Sequence, residues 1–264
     1  MQDGPLLGYL FRDFQLGFKA LKEAYPFVRR HRLWTGVLSY GWMSRFLLVI
    51  AFFVGLNFLA VLANWFGSLR MDNPIAYGAS LMDLYGRFFE KGYHLLTLGG
   101  MKYLILILTQ VLTFHVGRRM TEILKGETVD ISLKAFMQAQ TRVIKISIAA
   151  WATEMVVTLL VSIALGMMDA QWLKSPLNWV VQCFFLGAVV IDGYFESHNY
   201  SVKTSIYASR QMAGLALAIG IPTYMLMAVP LAGPVIAPFY ASIAATLALF
   251  EMEAKGWIPL KLNI

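Results

Sequence analysis

Residues 211–250 read QMAGLALAIGIPTYMLMAVPLAGPVIAPFYASIAATLALF, forty positions without one Asp, Glu, Lys or Arg. A helix that crosses about 30 Å of hydrocarbon needs about 20 residues of this kind, so the stretch holds two passes. Pro230-Leu231-Ala232-Gly233-Pro234 divides it near the middle. Proline ends one helix there and glycine lets the chain reverse.

The rest of the chain repeats the pattern. Of 264 residues, 58% are apolar and 14% charged, against about 45–50% and about 25% in ordinary soluble domains. Mean hydropathy is +0.62. This composition excludes an ordinary cytosolic domain, a disordered chain and a disulfide-stapled secreted scaffold. The lone Cys183 has no internal disulfide partner. The net charge of +7 is confined to a few segments, so it reads as membrane topology and attraction to anionic lipids, with no nucleic-acid partner.

Four further apolar runs stand before residue 211. In 33–69 the only charge is Arg45, in 92–117 Lys102 and in 146–168 Glu154, while 175–191 has none. The expected fold is therefore a single all-α integral membrane domain. It has two long transmembrane helices (33–69 and 92–117) and two helical hairpins (146–191 and 211–250). The runs 175–191 and that after Pro234 are short for a full crossing, so either hairpin could dip part-way into the bilayer. No cleavable leader is expected in 1–32, which lacks a short apolar core before a small-residue cleavage site.

Lysine and arginine counts orient the chain. Segments 1–32 and 118–145 carry six each, and the loop 70–91 carries three. By the positive-inside rule the first two are cytoplasmic and the third external, with both termini inside. In 1–32 the residues Leu7, Phe11, Phe14, Phe18, Leu21 and Tyr25 recur at steps of four and three, the stripe of an amphipathic helix lying in the interface. Leu133, Phe136, Met137 and Ile144 mark a second amphipathic segment in 118–145. Gln140 interrupts its apolar face, and Asp130 is the expected N-cap.

The sequence shows no HExxH, GxSxG or GxxxxGK[ST] motif, and its four histidines are scattered. Neither an enzyme, a metal site nor a cofactor is expected. Asp192 and Glu196 stand at i,i+4 near His198; they read first as a polar helix end and second as a metal or acid/base site, the weakest function hypothesis because the spacing matches no known site. Ionisable groups inside spans are stronger candidates, because each costs at least about 2.5 kcal/mol to insert. Arg45 falls about 18 Å from the cytoplasmic end of its run, and Glu154 and Gln110 about 10–12 Å from theirs. The three form an expected intramembrane polar layer, with an Arg45–Glu154 pair serving either structure or transport. Lys102 falls in the outer half and is expected to snorkel to the headgroups. Arg29-Arg30-His31-Arg32 precedes the first span. It is a positive-inside anchor or, with a helix N-terminus beside it, an anion site that Arg118-Arg119 would also face.

Several stretches together resemble the CysZ sulfate permeases and the wider etoposide-induced-protein family. They are the basic amphipathic segment 11–34, Thr121-Glu-Ile-Leu-Lys-Gly126, Ile191-Asp-Gly-Tyr-Phe-Glu196, the turn 230–234 and Ala237-Pro-Phe-Tyr-Ala-Ser-Ile-Ala-Ala-Thr246. The resemblance covers most of the chain and is strongest over 191–246. It implies an oligomeric inner-membrane permease that takes up sulfate for sulfur assimilation. It also implies an arginine pair at the start of the first membrane helix as the anion site, which makes Arg29, Arg30 and Arg32 candidates here. Two features depart from the family pattern. No glycine precedes Arg29-Arg30, and His115-Val-Gly-Arg-Arg119 stands where a proline-containing motif is expected. The alternative of a different class is a non-transporting membrane scaffold of the same fold.

Overall fold

The computed structural model describes residues 6–35, 49, 100–126, 132–229 and 232–258. Among these residues the chain is helical and has no strand. The first span beyond Thr35, Arg45 and the loop 70–91 lie outside the described residues, apart from Val49. The helices are α1 (Leu6–His31), α2 (Met101–Leu108), α3 (Gln110–Lys125), α4 (Leu133–Met167), α5 (Lys174–Ser197), α6 (Val202–Gln211), α7 (Ala213–Met227) and α8 (Gly233–Ala254). A 3-10 turn at Gln171–Leu173 leads into α5.

Local chemistry sets the ends. The Ser132 and Ser201 hydroxyls accept from the backbone N–H of Ala135 and Thr204, capping α4 and α6. Asp130, the expected cap of α4, lies outside the described residues. Gly126, at φ 70°, closes α3 in the left-handed conformation that glycine adopts without penalty. Between Met227 and Gly233 the chain reverses where the proline–glycine motif places the turn, with Pro234 in the first turn of α8. Thr109 breaks α2 from α3, its hydroxyl donating to the Ile105 carbonyl at 2.7 Å.

Two boundaries differ from the sequence reading. The amphipathic segment after residue 132 and the first arm of the 146–191 hairpin are one 35-residue helix, α4. Nothing between Gln140 and Ile146 breaks it, and Gln140 finds a partner by donating to the Ile107 carbonyl at 3.0 Å. The second arm is longer than 175–191: α5 has 24 residues, a rise of about 36 Å. Among the described residues, three helices are long and apolar enough to cross a membrane: α4, α5 with its 3-10 lead-in, and α8. Of the four arms only α7, with 15 residues, is short of the ~30 Å hydrocarbon core, at about 22 Å.

Small residues let these helices touch. A Cβ on Gly187 of α5 would stand 1.8 Å from the Ala216 carbonyl oxygen of α7, and one on Gly220 of α7 1.9 Å from that of Cys183. Between apolar helices in an apolar medium, close backbone approach of this kind supplies the association energy. The same device docks α1, where Gly214 meets the Leu10 carbonyl and Gly17 meets Ala218. The face α1 buries is Leu16, Ala20 and Ala24. On the expected stripe, Phe11 is 61%, Phe18 38% and Tyr25 63% exposed. So α1 has two apolar faces: a small-residue face packed on α7 and α8, and an aromatic face turned outward, as an interfacial helix requires. Tyr240 donates to the Leu21 carbonyl at 2.6 Å, and Lys19 pairs with Glu251 at 2.9 Å, fixing α1 on α8. Burial raises the Asp13 carboxyl above its ordinary range, against the pull of Arg12 beside it. The C-terminal half of α4 presents Met155, Val156, Leu159, Leu160 and Ile163, all exposed.

Gly187→Ala or Gly220→Ala forces α5 and α7 apart and should cost about 1–3 kcal/mol, read as a lowered Tm in detergent. Gly193→Ala, whose Cβ meets nothing within 4 Å, should leave Tm unchanged or raise it slightly. Equal losses at all three positions would disprove the close-contact account.

Candidate functional site

Two layers of buried charge cross the bundle. In the first, Lys102 of α2 is 1% exposed and places Nζ 2.7 Å from Glu154 Oε1 on α4. Tyr103 Oη donates to the other Glu154 oxygen at 2.5 Å. Lys102 Nζ also lies 3.5 Å from Gln182 Oε1 on α5, and Tyr224 Oη of α7 donates to that oxygen at 3.0 Å. The rings of Tyr103 and Tyr224 stand 5.2 and 5.8 Å from the ammonium, close enough for cation–π attraction. Four helices are thus tied through one lysine–glutamate pair.

This corrects the reading of Lys102. It does not snorkel outward, because a carboxylate on the neighbouring helix offsets its desolvation where the headgroups would otherwise have to. Glu154 takes Lys102 and Tyr103 as its described partners, and its expected partner Arg45 lies outside the described residues. Gln110, third in the expected layer, sits at the start of α3 with its Oε1 accepting from Thr113 at 2.9 Å.

The second layer joins α3, α4, α5 and the segment after α5. Arg142 of α4 grips Asp192 of α5 with two parallel bonds, Nε to Oδ2 at 2.9 Å and Nη2 to Oδ1 at 2.7 Å. The same guanidinium donates to Ser205 Oγ at 3.1 Å and to the Tyr200 carbonyl. One turn along α5, Glu196 accepts from Arg118 Nη2 at 2.8 Å. The i,i+4 acids that read as a helix end are therefore each held by an arginine from a different helix. Between these groups lies a cavity of about 30 Å³, lined on its polar side by Gln110, Thr113, Arg142, Asp192, Glu196, Ser242 and Thr246. That is room for about two waters.

The five candidate anion-binding arginines are not gathered into one site. Arg29 and Arg30 lie in the last turn of α1, both exposed. A helix C-terminus presents carbonyls and the negative end of the dipole, so α1 gives them no anion-binding N-terminus. Arg32 follows in a left-handed turn at φ 48°, and is exposed. Adjacent residues on a helix point about 100° apart: Arg118 turns inward to Glu196, while Arg119 turns outward and pairs with Glu122 at 2.8 Å. The turn after α1 does reach α3, where His115 lies beside the backbone of Leu33 and Thr35. Among the described residues no cluster of three or more His, Cys, Asp or Glu could hold a metal ion.

Arg142, Tyr103, Gln182 and Tyr224 are site residues that the sequence did not single out as binding groups, whereas Asp192 was read first as part of a polar helix end. The one available signal was the acid pair on α5, which demands cations from somewhere. No protein-family model, curated protein or solved structure matches the chain.

Asp192→Ala leaves the part-buried Arg142 without its carboxylate and should cost about 1.5–3 kcal/mol, whereas Arg142→Met with Asp192→Leu should cost much less than the sum of the single changes. A double-mutant cycle on detergent-solubilised protein checks this, and additive losses would show that the two groups do not interact.

Proposed function

We propose that the protein is a multi-pass permease of the bacterial inner membrane, with both termini cytoplasmic, that takes up sulfate or a related oxyanion for sulfur assimilation. The observation that carries this reading is the Arg142–Asp192 pair on the wall of a small cavity, mostly apolar but carrying these charged groups, at the meeting of α3, α4, α5 and α8. Ionisable groups within apolar helices are costly, and the small-residue contacts of α1, α5 and α7 already hold the bundle together. The guanidinium fork fits the oxygens of a carboxylate and of a tetrahedral oxyanion alike. In this arrangement Asp192 and Glu196 occupy the arginines as the substrate's oxygens would.

A cavity of about 30 Å³ holds water but not sulfate, so the arrangement is a closed one. Anion admission requires Asp192 to leave Arg142. Arg29, Arg30, Arg32 and Arg119, all exposed, give the approach a positive field that concentrates anions before they enter. The resemblance to the sulfate permeases supports the same substrate class, and the exposed apolar face of α4 offers a contact for a second copy in a homo-oligomer.

A second reading has its own observation. Arg118 and Arg142 are both matched by carboxylates, and a neutral network suits a non-transporting scaffold. Radiolabelled sulfate uptake into proteoliposomes separates the two. A permease gives flux above empty liposomes, and Arg142→Ala should reduce it at least tenfold while Arg119→Ala has a smaller effect. Asp192→Asn keeps the shape and frees the guanidinium, so it should tighten sulfate binding without speeding uptake. Correctly inserted protein with no flux would leave the scaffold.

A further inference from the structure

A second cavity, of about 340 Å³, runs along the outside of the same wall, between α4, α5 and α6. Its floor is made of small side chains, Ala149 and Ala150 on α4 and Ala188 on α5, with Phe184 and Phe185 along one side. From Ile146 to Val157 the groove follows α4 for about 17 Å, the scale of an extended acyl chain. Its one polar side chain at mid-length, Thr153, is satisfied by its own helix through the Ala149 carbonyl at 2.7 Å. The groove interior therefore makes no hydrogen-bonding demand on an occupant.

The α6 end is different. Ser209 and Arg210 line it, and Arg210 is exposed and makes no ion pair among the described residues. Lys203, also exposed and without an ion pair among the described residues, stands seven residues earlier, on the same face of α6 two turns away. Beyond Val157 the groove wall continues into the exposed apolar face of α4, so an occupant reaches it from the hydrocarbon.

We propose that this groove is a binding site for an anionic phospholipid. One acyl chain lies over Ala149, Ala150 and Ala188, and the phosphate sits on Arg210 with Lys203 beside it. Charge complementarity selects this occupant over an apolar helix, which would leave both cations unmatched. Val189 and Asp192 line both cavities, so the lipid packs against the wall that carries the Arg142–Asp192 pair. The proposal rests on a membrane setting and not on transport, so it stands or falls separately from the permease reading.

The test is lipid retention by delipidated, detergent-purified protein, read by native mass spectrometry. The probes are palmitoyl-oleoyl phosphatidylglycerol, the matching phosphatidylcholine, and glycerol phosphate as a headgroup without chains. Wild type should hold the phosphatidylglycerol at least tenfold more tightly than the phosphatidylcholine. Arg210→Ala should remove that preference and Arg210→Lys should restore most of it. Ala150→Phe should block both lipids while the protein stays monodisperse. Should that variant misfold, the exposed Arg210 still decides the matter. The proposal is overturned if both lipids bind equally to wild type, or if Arg210→Ala keeps the preference. It also fails if glycerol phosphate displaces the lipid, which would indicate a free-phosphate site. A change in oligomeric state on Ala150→Phe would make the groove an interface between copies and overturn it as well.

Discussion

A charge buried between apolar helices must find its opposite there or be paid for in full, and the pair formed by Lys102 and Glu154 meets that constraint. The two side chains lie on α2 and α4, 52 positions apart in sequence. Neither α2 nor α4 can rotate about its axis without exposing one of them to hydrocarbon. Tyr103, Gln182 and Tyr224 complete the hydrogen bonding and bring in α5 and α7. A buried ion pair of this kind adds little net stability, because desolvation takes back most of the Coulomb gain. Its effect is to specify how the helices are turned, since every other rotation leaves a charge unmatched. The rotation of α4 then fixes Arg142 toward α5, three turns away on the same helix.

Close packing supplies what the charges do not. Where lipid tails are as apolar as leucine, burying leucine gains little, and contact between backbones gains more. The crossings at Gly187–Ala216 and Gly220–Cys183 bring α5 and α7 together at a separation that a Cβ would forbid. They also set the height at which Gln182 and Tyr224 meet the lysine. The glycine contacts and the charge layer are therefore coupled. Moving the α5–α7 crossing by one turn would carry Gln182 away from Tyr224.

Much of this architecture is written in the sequence, and the gaps have physical causes. Apolar length and the proline–glycine turn after α7 mark helices and their ends by local chemistry, which neighbours do not change. The second face of α1 escapes a search for large apolar residues because it is built chiefly of Gly17, Ala20 and Ala24, and it meets a small residue, Gly214, on α7. Glu154 was measured in depth from Ile146, but α4 starts at Leu133. Glu154 therefore sits farther along its helix than the count placed it, and meets Lys102, which was assigned to the other half of the membrane. Which arginine grips Asp192 depends on the rotation of α4 against α5, and periodicity within either helix contains no information about that. The exposed ends of the basic clusters were legible as charge, but the turning of Arg118 inward and Arg119 outward required the helix to be placed.

The two cavities share one wall, and that geometry limits how the wall can move. Asp192 is held by Arg142 on the side of the smaller cavity, and Arg142 is anchored independently to Ser205 and the Tyr200 carbonyl beyond α5. The carboxylate is thus the freer partner: it can leave by a side-chain rotation, whereas moving the guanidinium would break the bonds that dock α6. A shift at Asp192 changes the outer groove as well, since its side chain also lines that groove beside Val189. Filling the groove restricts where the carboxylate can go, and an empty groove gives it room. Asp192 therefore belongs to the lining of both cavities, and a change in its side-chain position alters the shape of both.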